Sequence, residues 1–420
     1  MSVPRIHVIS PRTWGEFGNY LAATRFARVL EEHLDAEVSL WEAESMLPWV
    51  GDIGARIRDI TLTSPTPATR TERYLALMDE LAKDWPRDVE VAPLAGTERE
   101  RRLEGMAGHF RKHAPDLVVG TKGFISRLCV AAVRLAGGRV PPVVHQVTNP
   151  GLLELPLHRT RHPDLTLVGF DWARTRLIAD EGADPRRVRT VGPLVARHDL
   201  KGFLTEPVPP HRAPARPAAD EPAAEPAVEW GDPAAPERPR LIVFSNRGGE
   251  DYLRIVARLA ERDADIDLVF VGYGDVETTR RAAALARGGN ARRWRFHQRL
   301  TQPEYFEYIA RAARSPHAFL VSKAGPATTL EAAWFGIPVL MLESGLPMES
   351  WVPHLIRDEG LGQCHRSVDD LVAGLAAWLE DPSAIAACKA RATAYAGRAL
   401  DQSATAARIA RAVRDVLERS

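Results

Sequence analysis

The sequence predicts an α/β protein made of two doubly wound, parallel-sheet domains, and three observations predict it. Short apolar, β-rich runs alternate with helical patterns along most of the chain, which implies βαβ units. That alternation stops between residues 207 and 239, where Pro, Ala, Glu and Asp dominate and large apolar residues nearly vanish, and then it restarts. At 420 residues the chain is also too long for one ordinary core. The expected division is a first domain at 1–200, a flexible Pro/Ala-rich linker or insertion at 201–239, and a second domain at 240–420. The last helix of the second domain is free to pack back on the first.

In order, residues 5–10 read as a buried strand, and the loop 11–20 feeds a helix running through Leu30 to Glu32. Residues 38–41 are a second strand. The next sixty or so carry only fragments of helical pattern, at 75–78 and 101–103. Residues 116–120 form a clear strand, followed by a helix at 126–136 and further strands at 142–147 and 165–169. A helix at 172–181 and a strand at 188–193 close the first half. The second half gives strands at 241–244, 266–272 and 294–297, a helix at 302–313, and strands at 318–321 and 337–341. From Leu371 onward the pattern is a final helical stretch.

Composition excludes several classes. Lys plus Arg number 55 and Asp plus Glu 55, so no net field argues for nucleic acid or an anionic surface. Cys129, Cys364 and Cys388 lack metal-ligand spacing and fit a reducing compartment. No apolar run approaches the roughly 20 residues that cross a bilayer. The start runs directly into a strand without a signal-peptide pattern. A soluble, cytoplasmic protein is expected.

The chemistry is anchored at Ser322-Lys323-Ala324-Gly325-Pro326-Ala327-Thr328-Thr329-Leu330-Glu331. It joins an apolar strand to a helix that Gly336 ends. A strand, a tight turn and a helix start aim backbone N–H groups and partial positive charge at an anion. Pro326 suits the first helical position, where its missing N–H costs nothing. Ala327 is small enough for a ligand to approach the backbone. Thr328 and Glu331 are three apart and share a face, the hydroxyl suiting a phosphate and the carboxylate a ribose. That constellation reads as a nucleoside diphosphate site. The competing reading is that Gly325 merely turns the chain and Glu331 is an acid favoured by the helix dipole.

The run KAGPATTLEAAWFGIPVL resembles the donor-binding segment of inverting glycosyltransferases of family 28, the group that includes MurG and monogalactosyldiacylglycerol synthase. The resemblance implies the GT-B fold: two Rossmann-like domains whose parallel sheets face a central cleft. It places Gly325, Thr328 and Glu331 on the pyrophosphate and ribose of a UDP-sugar, with Pro326, Ala327 and Thr329 beside them. Gly345-Leu346-Pro347-Met348-Glu349 resembles the segment that grips the sugar hydroxyls; Glu349 matches, and Met348 stands where an amide is usual. Ser245, Asn246, Arg247 and Gly248 occupy the place of a glycine-rich anion loop, and Arg299 and Leu300 that of the uracil contacts. Residues 120–124 resemble the second glycine loop of the first domain, and 144–149 the strand end that faces the acceptor.

The resemblance breaks at the catalytic base. Those enzymes carry Gly-Gly-His in the first loop, where this chain has Gly18-Asn19, and an amide takes no proton. The role is open to Glu16 in the same loop or to His145, with Asn19 positioning the acceptor. The expected reaction is a metal-independent, inverting transfer from a UDP-sugar, the co-substrate, to a hydroxyl of a lipid-linked or small natural-product acceptor. No other cofactor is expected. A UDP-sugar 2-epimerase and a non-catalytic sugar-nucleotide-binding protein are the alternatives. Peripheral membrane contact and either a monomer or a homodimer fit these readings.

Overall fold

The computed structural model describes residues 3–13, 18–64, 66–195, 238–245, 249–272, 275–286, 289–300 and 302–419. The Pro/Ala-rich segment lies outside the described residues up to position 237. The chain forms two compact units. The first is Met1–Arg197 together with Ser344–Val352 and Gly397–Ser420; the second is His198–Glu343 with Pro353–Ala396.

The first unit holds six strands: β1 (Arg5–Ser10), β2 (Glu37–Glu42), β3 (Leu117–Gly120), β4 (Val143–Gln146), β5 (Leu165–Val168) and β6 (Val188–Thr190). All pair in parallel, in the order β2-β1-β3-β4-β5-β6. Their apolar runs follow from burial on both faces. Ile6, Val8, Leu117, Val119 and Val144 meet one apolar cluster, shared with the helices Gly18–His33 and Gln402–Leu417. Ile9, Val118 and Val143 meet the other.

That second face is covered by a helical layer of which the sequence showed only fragments. Helices Pro48–Thr63, Pro67–Asp84 and Glu98–His113 occupy the stretch after β2. Their starts are well specified: Thr66 accepts from the Thr69 amide ahead of Pro67, and Thr97 accepts from the Glu100 amide. The last of them carries Glu98 and Glu100 in its first turn and Arg111, Lys112 and His113 in its last, which complements the dipole. Trp49 stacks on Trp85 at 5.1 Å, with the Arg102 guanidinium 4.3 Å from the Trp49 ring. The buried Arg127 ties the layer together, donating to the carbonyls of Trp85, Pro156 and Arg159 beside the buried Glu90 carboxylate.

The second unit holds β7 (Arg240–Phe244), β8 (Asp267–Val271), β9 (Arg295–His297), β10 (Ala318–Lys323), β11 (Val339–Leu342) and β12 (Gly362–His365). They also pair in parallel, in the order β12-β11-β10-β7-β8-β9. One strand went unmarked in the sequence. From Leu371 onward the chain is helical as expected, in the helices Val368–Glu380, Pro382–Ala399 and Gln402–Leu417, but the stretch before it holds the helix Trp351–Asp358 and the strand β12, which the apolar pattern did not show. Gly-Gln-Cys-His is an edge strand, half-buried at every position, so it lacks the apolar run that marks the others. Both sheets are doubly wound and flanked by helices, the α/β class expected.

Candidate nucleotide site

In a doubly wound sheet, ligands bind at the carboxyl ends of the strands where the winding reverses. In the second unit that point lies between β7 and β10, which are hydrogen-bonded neighbours. Ser245 follows β7 directly and is fully buried, and the Ser322 hydroxyl donates to the Phe244 carbonyl at 3.1 Å across the junction. The topology therefore brings Ser245 and the Gly325 turn together at one edge. Asn246, Arg247 and Gly248 lie outside the described residues.

The helix Pro326–Trp334 begins at this edge. Gly325 is its N-cap with φ −91° and ψ 139°, an extended backbone that any residue adopts, so the turn uses no left-handed geometry. No side chain caps the start. With Pro326 at the first position, the amides of Ala327 and Thr328 have no intrahelical partner. Ala327 is exposed and Thr328 half-exposed. At the far end Gly336, with φ +68°, donates to the Ala333 carbonyl while Ile337 donates to Ala332, a Schellman stop.

Two of the expected contacts sit differently. Thr329 is fully buried, its hydroxyl without a partner, so of the paired threonines Thr328 is the accessible one. Glu331 is only 5% exposed, on the buried stripe running from Thr329 to Trp334 rather than beside Thr328 on an open face. The physical reason is that the helix packs along all of its length after the first turn. Arg299 is exposed and Leu300 half-buried, just after β9 at the same edge of the sheet.

Met348 and Glu349 belong to the stretch that clusters with the first unit. Its anchors are specific: Arg70 donates to the Ser344 carbonyl at 3.0 Å, the Thr71 hydroxyl donates to the Gly345 carbonyl, and Trp351 Nε1 donates to Asn149 Oδ1 at 3.1 Å. A Cβ at Gly151 would stand 2.1 Å from the Met348 carbonyl oxygen, so glycine is required there by the close approach. Burial, reinforced by the Glu349 charge, pushes the Tyr74 phenol up.

In the first sheet the reversal lies between β1 and β3. Glu16 in the loop after β1 lies outside the described residues, and of Asn19 only its place in the helix Gly18–His33 is described. The root of that loop is pinned by Glu44, which accepts from the Arg12 and Thr13 amides and the Thr13 hydroxyl. His145, in β4, is buried with Nδ1 2.7 Å from Ser126 Oγ, the setting of a hydrogen-bonded structural histidine; burial pulls it down to about 4. Lys122, two residues after β3 and at the N-cap of the helix Gly123–Ala136, is buried, and burial pulls its amine down to about 7 against the opposing pull of Glu44. The available signal was a lysine shortly after an apolar strand and before a helix.

No protein-family model and no curated protein matches the sequence. Solved structures do. A Listeria monocytogenes protein assigned as a UDP-N-acetylglucosamine 2-epimerase is similar at 15% identity and a TM-score of 0.58, over 100% of this chain and 98% of that one. MurG of Acinetobacter baumannii is similar at 14% identity and a TM-score of 0.53, over 99% and 100%. CalG4, the calicheamicin glycosyltransferase, is similar at 15% identity and a TM-score of 0.52, over 100% and 99%. The chain has the GT-B fold, of the kind seen in MurG. Among the described residues no single helix is long and apolar enough to cross a membrane.

Proposed function

We propose that the protein is a glycosyltransferase that takes a sugar from a nucleotide sugar, a UDP-sugar by the motif resemblance, to a hydroxyl acceptor. The observation that supports it most is the uncapped start of the helix Pro326–Trp334 at the reversal point of the second sheet. Two open amides and the dipole's positive end suit the diphosphate, and Thr328 adds a hydroxyl. The pattern of neighbours with glycosyltransferase and nucleotide-sugar enzyme names points the same way.

In this reading the acceptor oxygen bonds to the anomeric carbon from the side opposite the diphosphate, and the configuration inverts. The bond from that carbon to the diphosphate breaks, the electron pair leaving with the nucleotide, while a base takes the acceptor's proton. The helix start and the loop at Ser245 stabilise the charge growing on the leaving group, the role a divalent ion takes in other transferases. Glu331 and Glu349 remain proposed contacts to ribose and sugar. A sugar isomer formed from donor alone, with no acceptor, would indicate an epimerase instead.

The test is Ala327→Asp. An acid in the first turn favours the helix, so the melting temperature holds or rises, yet its charge opposes a diphosphate. Calorimetry should show UDP affinity falling by roughly 10-fold to 100-fold, on the scale of a lost charge-assisted contact. Unchanged UDP affinity would place the nucleotide elsewhere.

A further inference from the structure

A cavity of the first unit lies at the opposite edge of its sheet from the reversal point. It is lined where three neighbouring strands begin: Pro142 directly precedes β4, Asp164 directly precedes β5, and the turn Pro185–Arg187 runs straight into β6. The helix Gln402–Leu417 ends against it, supplying Val416 and, just past the helix, Arg419. Its volume is about 350 Å³, at the lower end of the range that small-molecule sites occupy.

The charges around this hollow do not balance. Arg186, Arg187 and Arg419 line it with Asp164 and Asp184, three cations against two carboxylates. Both carboxylates are engaged by their own surroundings. Asp184 accepts from the Arg186 amide at 2.9 Å and from its guanidinium at 3.2 Å, and Asp164 Oδ2 accepts from the Val143 amide at 2.8 Å. The exposed Arg187 and Arg419 guanidinium groups have neither a hydrogen bond nor an ion pair among the described residues, beyond the weak pull of Arg187 on Asp184. The negative end of the helix dipole accounts for a cation at position 419. It gives no reason for Arg187 to line the same hollow.

We propose that Arg187 and Arg419 form a binding site for a small phosphate-bearing anion, a diphosphate or a phosphomonoester, separate from the nucleotide site of the second unit. Each guanidinium presents a planar fork of N–H donors that matches phosphate oxygens. A carboxylate has oxygens enough for one fork, whereas a phosphate group has three acceptor oxygens and a charge near two, and so serves both. The site would join the turn before β6 to the end of the last helix. That helix is already tied to the first unit by the Arg189–Asp415 ion pair and by Arg408 Nε donating to the Val191 carbonyl at 2.8 Å. A bound anion adds a tie at its end and raises the stability of the first unit by mass action. The site stands or falls independently of the transferase reading.

The test uses the full chain carrying Ala327→Asp, which opposes diphosphate binding at the helix start of the second unit. Pyrophosphate is the probe, and sodium chloride at matched ionic strength is the control for screening. Calorimetry should show one pyrophosphate bound per chain, and melting curves a rise that sodium chloride does not reproduce. Arg187→Gln and Arg419→Gln, each added to that protein, should weaken pyrophosphate binding by about 10-fold to 100-fold, the value of hydrogen bonds to a charged group. Both residues are at the surface, so the melting temperature without ligand should hold. An equal rise with sodium chloride would mean diffuse charge and overturn the proposal. Pyrophosphate binding that is lost with Ala327→Asp, or that ignores both arginine substitutions, overturns it too. Binding to vesicles containing phosphatidylglycerol but not to phosphatidylcholine alone, abolished by both substitutions and with no free pyrophosphate bound, would keep the site and make a lipid headgroup its anion.

Discussion

In the second unit β7 has two strands on one side and three on the other, whereas in the first β1 has one strand on one side and four on the other. Where the second sheet adds a third strand, the first unit runs from Glu42 to Leu117 through helices alone. The consequence is a difference in what floors the two reversal points. In the second unit it is backbone: an uncapped helix start after a Gly-Pro step. In the first it is side chains: Ser10, Thr121, Lys122 and Gln146, all buried at the strand ends. A backbone site tolerates change in most of its side chains, while a side-chain site depends on the layer that holds each residue in place.

That contrast can be broken or sharpened in three ways. The largest effect should come from Arg127→Met. It removes the cation that spans Trp85, Pro156 and Arg159 and leaves the Glu90 carboxylate buried without it. Breaking a buried pair this way costs about 3–5 kcal/mol, and denaturant unfolding should show the loss in the first unit with UDP binding retained. Equal loss of UDP binding would mean the two units do not respond separately.

An intermediate effect is expected from acid. His7 Nδ1 lies 3.0 Å from His109 Nε2, with the His113 ring 4.6 Å from that of His109. Burial, then repulsion from the neighbouring imidazoles, with Arg5 acting on His7 and Lys112 on His109, pulls both His7 and His109 down to about 4 from 6.5. A folded value below the unfolded one means the unfolded chain binds more protons in between. Stability is therefore intact above about 6.5 and falls as pH drops toward 4. Melting curves across that window should show the decline, and His109→Gln should flatten it; a slope unchanged by His109→Gln removes the cluster as its cause.

The smallest effect should be Gly336→Ala. With φ +68° the residue is left-handed, and an alanine there costs about 1–2 kcal/mol, while its Cβ would meet Thr393 Oγ1 at 2.5 Å. Thermal unfolding should register a modest loss with the helix start, and UDP affinity, unaltered. A large loss of affinity would mean that the helix start depends on its far end.

Much of the fold was legible because parallel strands buried on both faces announce themselves as apolar runs, as at 117–120, 241–244 and 318–321. The polar edge strand Gly362–His365 carried no such mark, and the helices between 48 and 113 were blurred by mixed composition. At the candidate site the helix start at Gly325-Pro326-Ala327-Thr328 was legible, because a Gly-Pro step after an apolar strand sets it. The site was not legible at Thr329 and Glu331, since their burial depends on what packs against the helix.

The helix Gln402–Leu417 contributes Ile409, Val413 and Val416 to the same cluster as Ile6, Val8 and Leu117. A ribosome adds those three residues about 400 positions after Ile6, when all the strands of the second unit have been synthesised. Until then only the early helix Gly18–His33 covers that face of the first sheet, and the part left for Gln402–Leu417 stays apolar and open, which makes the nascent chain a natural client for chaperones. It also means that a premature stop near codon 400 would ruin the half of the protein already finished.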